Sequence, residues 1–208
     1  MTGVKGVVFD WGGVIIDEPG HALQVYCSQK LGLPLNRGSA AIRRYLPMYQ
    51  EGRVSERRLW EMVCADCRQQ TAVIPGSSLW GEALRAVFRF RSEVLLAIEQ
   101  LAEKGFKVGF LSNTEPEAAA YFHERKMDAL FSASVLSCEV GISKPNPDIY
   151  LLVAEQMAIL PAALLMLDDR QENIDGARQA GMQALRVGET GAVLDALRPF
   201  LHSVTLPR

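Results

Sequence analysis

Short apolar, β-branched runs recur along this chain, and between them apolar positions return every three or four residues. VKGVVFD (4–10) reads as a strand. SEVLLAIEQLAEKG (92–105) reads as a helix with Gly105 placed to end it. FKVGFLS (106–112) is a strand, EPEAAAYFHERKM (115–127) a helix and SASVLS (132–137) a short strand. NPDIYLLVAEQM (146–157) is a helix, ALLMLD (163–168) a strand and ENIDGARQAG (172–181) a helix. MQALRVG (182–188) is the last strand, before a C-terminal helix near 190–201. Strands that alternate with helices imply βαβ units and a parallel sheet, whose strands are buried on both faces and therefore apolar throughout.

Residues 18 to about 88 break that rhythm. PGHALQVYCSQKLG, SAAIRRYLPMYQEG, SERRLWEMVCADCRQQ and SSLWGEALRAVFRF read as four helical segments with no strand among them. A crossover needs one helix, so the others form an inserted helical subdomain. The expected organisation is an α/β, Rossmann-like three-layer core of residues 1–17 and 88–208, with a small all-helical cap, 18–87, inserted after the first strand.

Composition adds limits. With 208 residues, 49% hydrophobic and 22% charged, the chain can bury one sizeable core. A net charge of −2 gives no basic field for nucleic acid, and no apolar run reaches the length of a membrane span. The start, MTGVKGVVFD, enters a strand almost at once and lacks the pattern of a secretory leader, so a cytoplasmic location is expected. The four cysteines fit reduced thiols. Cys64-Ala65-Asp66-Cys67 reads as two small residues one helical turn apart, since a zinc site would want a second ligand pair nearby. No GxGxxG follows a strand and no GxxxxGK[ST] occurs. His21, His123 and His202 match no motif and read as surface or packing residues.

The chemistry gathers at strand ends, where open α/β sheets bind ligands. Asp10 ends the first strand, Ser112-Asn113-Thr114 the second and Asp168-Asp169 the fourth, while Lys144 sits in the loop GISKPNP (141–147). Each alone has a plain reading. A carboxylate after a strand is commonly a turn former, and Thr114 with Glu117 makes a T-x-x-E capping box. Acids, a hydroxyl and a lysine all at strand ends suit phosphate chemistry instead.

With these four motifs in this order, VVFDWGGV, VGFLSNT, GISKPNPDIY and LMLDDRQENIDGARQAGM, the chain resembles the haloacid dehalogenase-like hydrolases over nearly its whole length. The helical insert sits where that family carries a cap. Within that family it resembles a group of bacterial sugar-phosphate phosphatases that open D-x-G-[GN]-V, glucose-1-phosphate phosphatases among them. The resemblance implies roles. Asp10 is the nucleophile that forms an aspartyl-phosphate. Mg²⁺, a hard cation, is held by Asp10, Asp169 and the Gly12 carbonyl, with Asp168 acting through water or from behind. Ser112 and the amides of Asn113 and Thr114 hold phosphate oxygens, and Lys144 balances their charge. Asn173 steadies Lys144 or the metal surroundings. Trp11, Arg53, Arg43 and Arg44 are candidate cap or substrate contacts, with Arg53 in the turn YQEGRVSERR where Ser55 caps the next helix. The partner is a small phosphorylated metabolite. The sequence sets no oligomeric state, and a monomer suffices for such a site.

The pattern departs from the family at one point. Most of these phosphatases read D-x-D, the second acid protonating the leaving oxygen, and here that position is Gly12. Such a proton shuttle is worth about 10² to 10⁴ in rate. Asp17 is a candidate substitute by proximity in sequence. Two other readings follow: a 2-haloacid dehalogenase, against which the paired Asp168-Asp169 argue, and a weakly active or regulatory binding protein on the same fold.

Overall fold

The computed structural model describes residues 3–69 and 78–202. Gln70 and Ser77, at the ends of two expected helical segments, lie outside them. Strands β1 (Gly6–Phe9), β2 (Lys107–Ser112), β3 (Ala133–Leu136), β4 (Leu164–Asp168) and β5 (Gln183–Arg186) form one parallel sheet in the order β3-β2-β1-β4-β5. Phe9 lies level with Phe110 of β2 and Leu167 of β4.

Successive side chains point to opposite faces of a strand, and the core divides accordingly. Val7, Phe9, Phe110 and Leu167 face α5 (Ser92–Glu103) and α10 (Thr190–Leu201), against Ile98 and Leu197. Val8, Leu111 and Met166 face α8 (Pro147–Met157) and α9 (Gln171–Gln179), against Tyr150 and Ile174. With both faces covered, the strands need no polar alternation, and this is why they read as apolar runs.

Between β1 and α5 lie four helices, α1 (Gly20–Lys30), α2 (Leu35–Gln50), α3 (Glu56–Asp66) and α4 (Leu79–Val87). Their buried Ile42, Leu59, Trp60 and Trp80 join the apolar cluster on the α5 side of the sheet. Cys64 and Cys67 are buried in this packing. Ser55 caps α3, its side chain accepting from the Arg58 N–H at 3.3 Å. Helix α2 begins at Leu35 rather than Ser39, because its first turn, Asn36-Arg37-Gly38, is polar and silent in the hydrophobic pattern.

Three local expectations change. Helix α6 (Pro116–Glu124) stops before 127, where Lys126 turns left-handed and Met127–Leu130 form a 3-10 turn. The T-x-x-E box does not form: Glu115 occupies the N-cap position, and Glu117 accepts a hydrogen bond from the Tyr49 hydroxyl. A four-residue helix α7 (Ser137–Val140) follows β3, too short to carry a period.

The C-terminal end of α2 meets the core through polar contacts. Gln50 Nε2 donates to Glu115 Oε1 at 2.8 Å, Ser137 Oγ donates to the Gln50 carbonyl at 2.5 Å, and Ser143 Oγ donates to Glu51 Oε1 at 2.6 Å. The Tyr49–Glu117 bond belongs to the same seam.

Candidate active site

Sheet register assembles the site. The chain order of strands reverses at β1, the topological position where ligands bind in open α/β sheets. Asp10 follows Phe9 and so comes level with Asp168 at the end of β4, its N–H donating to the Leu167 carbonyl at 3.0 Å. Ser112 closes β2 on the other side, buried at the same end of the sheet.

Lys144 sits between the two acids. Its Nζ donates to Asp10 Oδ1 at 2.7 Å and to Asp168 Oδ2 at 2.6 Å, and the three side chains are 1%, 10% and 0% exposed. A bare lysine in such a place would lose its proton to desolvation, but the two carboxylates overcome that and hold its pKa above the ordinary value. Burial pushes Asp10 up to about 7, against the pull of Lys144 and with a further push from Asp168. Asp169 is raised to about 6 by burial, by Asp168 and by Glu18.

Further bonds hold this triad in place. Asn113 clamps the Lys144 backbone: its Oδ1 accepts from the Lys144 N–H at 2.7 Å, and its Nδ2 donates to the Lys144 carbonyl at 2.8 Å. Asn173 Nδ2 donates to both oxygens of Asp168, at 2.9 and 3.1 Å, and the Arg170 N–H donates to Oδ1 at 2.9 Å. Asn173 therefore steadies Asp168 and reaches Lys144 only through it.

The glycine pair after Asp10 divides in two. Gly13 has φ +72, and a Cβ there would come 2.6 Å from Asp169 Oδ2, so both backbone and space require glycine. Gly12 lies outside the left-handed region, and a Cβ there would point at Glu18, 3.0 Å from its Oε2.

Asp10, Asp168 and Asp169 each offer a carboxylate oxygen, all within 4.8 Å of one another. Hard oxygens grouped with a single balancing lysine fit Mg²⁺. Asp168 is already engaged by Lys144, Asn173 and Arg170, which leaves Asp10 and Asp169 the freer donors.

A cavity of about 510 Å³ opens over these groups and reaches the helical insert; Asp10, Ser112, Asp169 and Asn173 line it from the core. Among the expected insert contacts, Arg43 lines the cavity and donates through Nη1 to Gln24 Oε1 at 2.9 Å. Arg53 and Arg44 do not. Arg53 pairs with Glu51 at 2.8 Å and Arg44 with Asp66 at 3.1 Å, and both are largely exposed. Trp11 is among the residues that line the cavity, while its ring packs edge-on against Phe88, Phe110 and Phe122 in the core. The Thr114 amide is spent on Ser137 Oγ, at 2.8 Å, rather than left for an anion. Asp17 is turned away, two-thirds exposed and paired with Arg91 at 3.1 Å. Glu18, Gln24, Gln50 and Glu115 line the cavity as well, although they belong to no motif in the sequence. Of these, Glu18 had a local signal, an acid beside a proline at the exit of the loop.

Residues 4–181 match the family model of the haloacid dehalogenase-like hydrolases. The chain belongs to this family, and is a hydrolase. It is 27% identical over 201 residues to D-ribitol-5-phosphate phosphatase of Bacteroides thetaiotaomicron, covering 91% of this chain and 94% of that one. It is 30% identical over 110 residues to a Mycobacterium tuberculosis phosphatase, spanning only 51% of that protein. In fold it is similar to a haloacid dehalogenase-family enzyme from Bacteroides thetaiotaomicron solved with magnesium and inorganic phosphate. The TM-score is 0.74 at 20% identity, over 92% of this chain and 99% of that one.

Proposed function

We propose that this chain is a Mg²⁺-dependent phosphomonoester hydrolase that works through an aspartyl-phosphate on Asp10, on a small phosphorylated metabolite of the sugar-phosphate kind. The observation that carries this is the buried Asp10–Lys144–Asp168 triad, with Asp169 and Ser112 opening onto one cavity. A dehalogenase pocket that receives a carboxylate would gain nothing from two further acids, Asp168 and Asp169, clustered with its nucleophile.

Asp10, Asp169 and the Gly12 carbonyl would hold the metal, with Asp168 behind them. When bound, the ion supplies charge neutralisation for the phosphoryl oxygens. Asp10 attacks phosphorus from a fixed position, since Lys144 holds its Oδ1 and β1 holds its backbone. Ser112 and the Asn113 amide face the phosphoryl oxygens. Asn113 also fixes Lys144, so one residue ties the phosphate loop to the lysine loop. Residues 18–87 serve as the cap that excludes water from the cavity. Gln24, Gln50 and Arg43 offer hydrogen-bond partners for a hydroxylated substrate body, and the volume suits a small molecule. A cytoplasmic setting accords with the unbridged Cys27, Cys67 and Cys138.

The test is a panel of phosphometabolites and aryl phosphates assayed with Mg²⁺ and with chelator, on wild type and on Asp10→Asn. Turnover that needs Mg²⁺ and vanishes in the folded variant is expected. Substantial activity in pure Asp10→Asn would overturn the aspartyl-phosphate mechanism.

A further inference from the structure

We propose that Glu18 is the general acid and base of this site, in place of the carboxylate that Gly12 lacks. The inference rests on the phosphatase reading above and adds a catalytic residue to it.

The geometry begins at Gly12. A side chain there would grow straight toward Glu18, reaching Oε2 within 3.0 Å at its first carbon. The Glu18 carboxylate thus stands in the direction that an acid two residues beyond the nucleophile would take. The loop after β1 brings it there. The Trp11 carbonyl accepts from the N–H groups of Val14, Ile15 and Ile16, and Ile16 then bridges to both Gly12 and Phe90. This folds the chain back on itself. Beyond Ile16, neighbouring residues diverge: both are exposed, but Asp17 turns to Arg91 while Glu18 lines the cavity where it opens to solvent.

Glu18 is also held for use. Its Oε1 accepts from the Gly20 N–H at 2.8 Å, at the first residue of α1. Oε2 is left toward the cavity, and among the described residues no cation pairs with the group. An acid tied down by an arginine, as Asp17 is, would be a poor proton carrier; Glu18 carries no such tie.

The chemistry then closes. In the first half-reaction an Asp10 oxygen bonds to phosphorus, and the bond from phosphorus to the substrate oxygen breaks. That oxygen takes the electron pair and the Glu18 proton, and leaves as an alcohol. In the second, the Glu18 carboxylate takes a proton from water as the water oxygen bonds to phosphorus. The bond from Asp10 to phosphorus breaks, its pair returning to the carboxylate. Glu18 ends protonated, ready for the next substrate, and the sum is ester plus water giving alcohol plus phosphate.

The experiment compares wild type, Glu18→Gln and Gly12→Asp/Glu18→Gln on a leaving-group series from nitrophenyl to sugar phosphates. Quenched samples are analysed for phosphate on Asp10. In Glu18→Gln, sugar phosphates should lose about 10² to 10⁴ in turnover. Nitrophenyl phosphate should keep its initial burst but turn over slowly, because phosphoenzyme forms and then waits for a base. The slope of log rate against leaving-group pKa should steepen, and the double variant should recover part of the loss. Glu18→Gln with wild-type turnover and an unchanged slope would overturn this assignment while leaving Asp10 in place. Wild type that never carries phosphate on Asp10 would overturn the phosphatase reading itself, and this inference with it.

Discussion

Glu115 gives the sharpest quantitative prediction, because its carboxylate is buried and the cost of that burial depends on pH. Desolvation lifts its pKa from the ordinary 4.5 to about 6, against the lowering by the Gln50 amide and by its own backbone N–H. Between those two values the folded chain holds a proton that the unfolded chain has released. Stability therefore falls as pH rises through that window, and nothing is lost below it. The distance from 4.5 to about 6 is worth about 2 kcal/mol at 1.36 kcal/mol per pH unit. Glu115→Gln keeps the shape and removes the titration. Its stability relative to wild type should therefore improve by about 2 kcal/mol between about pH 4 and about pH 8. Any fixed penalty of the amide cancels in that difference. Urea unfolding across this range, in chelator so that no metal contributes, measures it; in a thermal scan the same difference is about 4–8 °C. Parallel stability curves for the two proteins would refute the argument that burial strains this carboxylate.

Three further outcomes follow from the site. Asp169→Ala should lose Mg²⁺-dependent turnover, with no Mg²⁺-induced rise in Tm, whereas wild type should show both; a variant active in chelator would remove Asp169 from the metal site. Gly13→Ala should destabilise by at least about 1–2 kcal/mol, from its left-handed backbone alone, with the crowded Asp169 adding to it. Gly12→Ala should cost less, since its φ is not left-handed and its nearest neighbour is the far end of a long side chain, Glu18; denaturant midpoints of the two variants decide the order. Asn113→Ala frees the Lys144 backbone and should lower kcat more than it raises KM; an effect confined to KM would count against the clamp.

Much of this was legible in the sequence because burial on both faces leaves a plain signature. Val7-Val8-Phe9 and Leu164-Leu165-Met166-Leu167 are apolar without alternation, since helices cover both sides of the sheet. Asp10, Lys144, Asp168 and Asp169 could be placed because strand ends in a parallel sheet converge. What remained unread depends on directions that no periodicity encodes. Asp17 and Glu18 are neighbours of the same charge, and only the turn at Trp11 decides which one lines the cavity. Arg43 and Arg44 are likewise adjacent, and helical phase sends one to the cavity and the other to Asp66. The Thr114 amide looked available until helix α7 supplied Ser137, a partner 23 residues distant.

The seam at the end of α2 has a consequence for timing. Its four shorter hydrogen bonds come from Gln50, Tyr49, Ser137 and Ser143, with a longer one from Gln50 to the Asn113 carbonyl at 3.4 Å. At a net 0.5–1.5 kcal/mol each the four shorter ones amount to about 2–6 kcal/mol. The polar groups they would release can bind water instead, whereas the Tyr49 ring beside them packs against Trp80 in the core cluster and adds to the cost of opening. By tenfold per 1.4 kcal/mol, these bonds alone would hold an unlatched form to about one molecule in thirty at the weak end and one in some 10⁴ at the strong end. A hydrolase whose product leaves by that opening takes its tempo from the latch. Trimming it, by Ser143→Ala for instance, should quicken release without touching a group proposed to meet the phosphate.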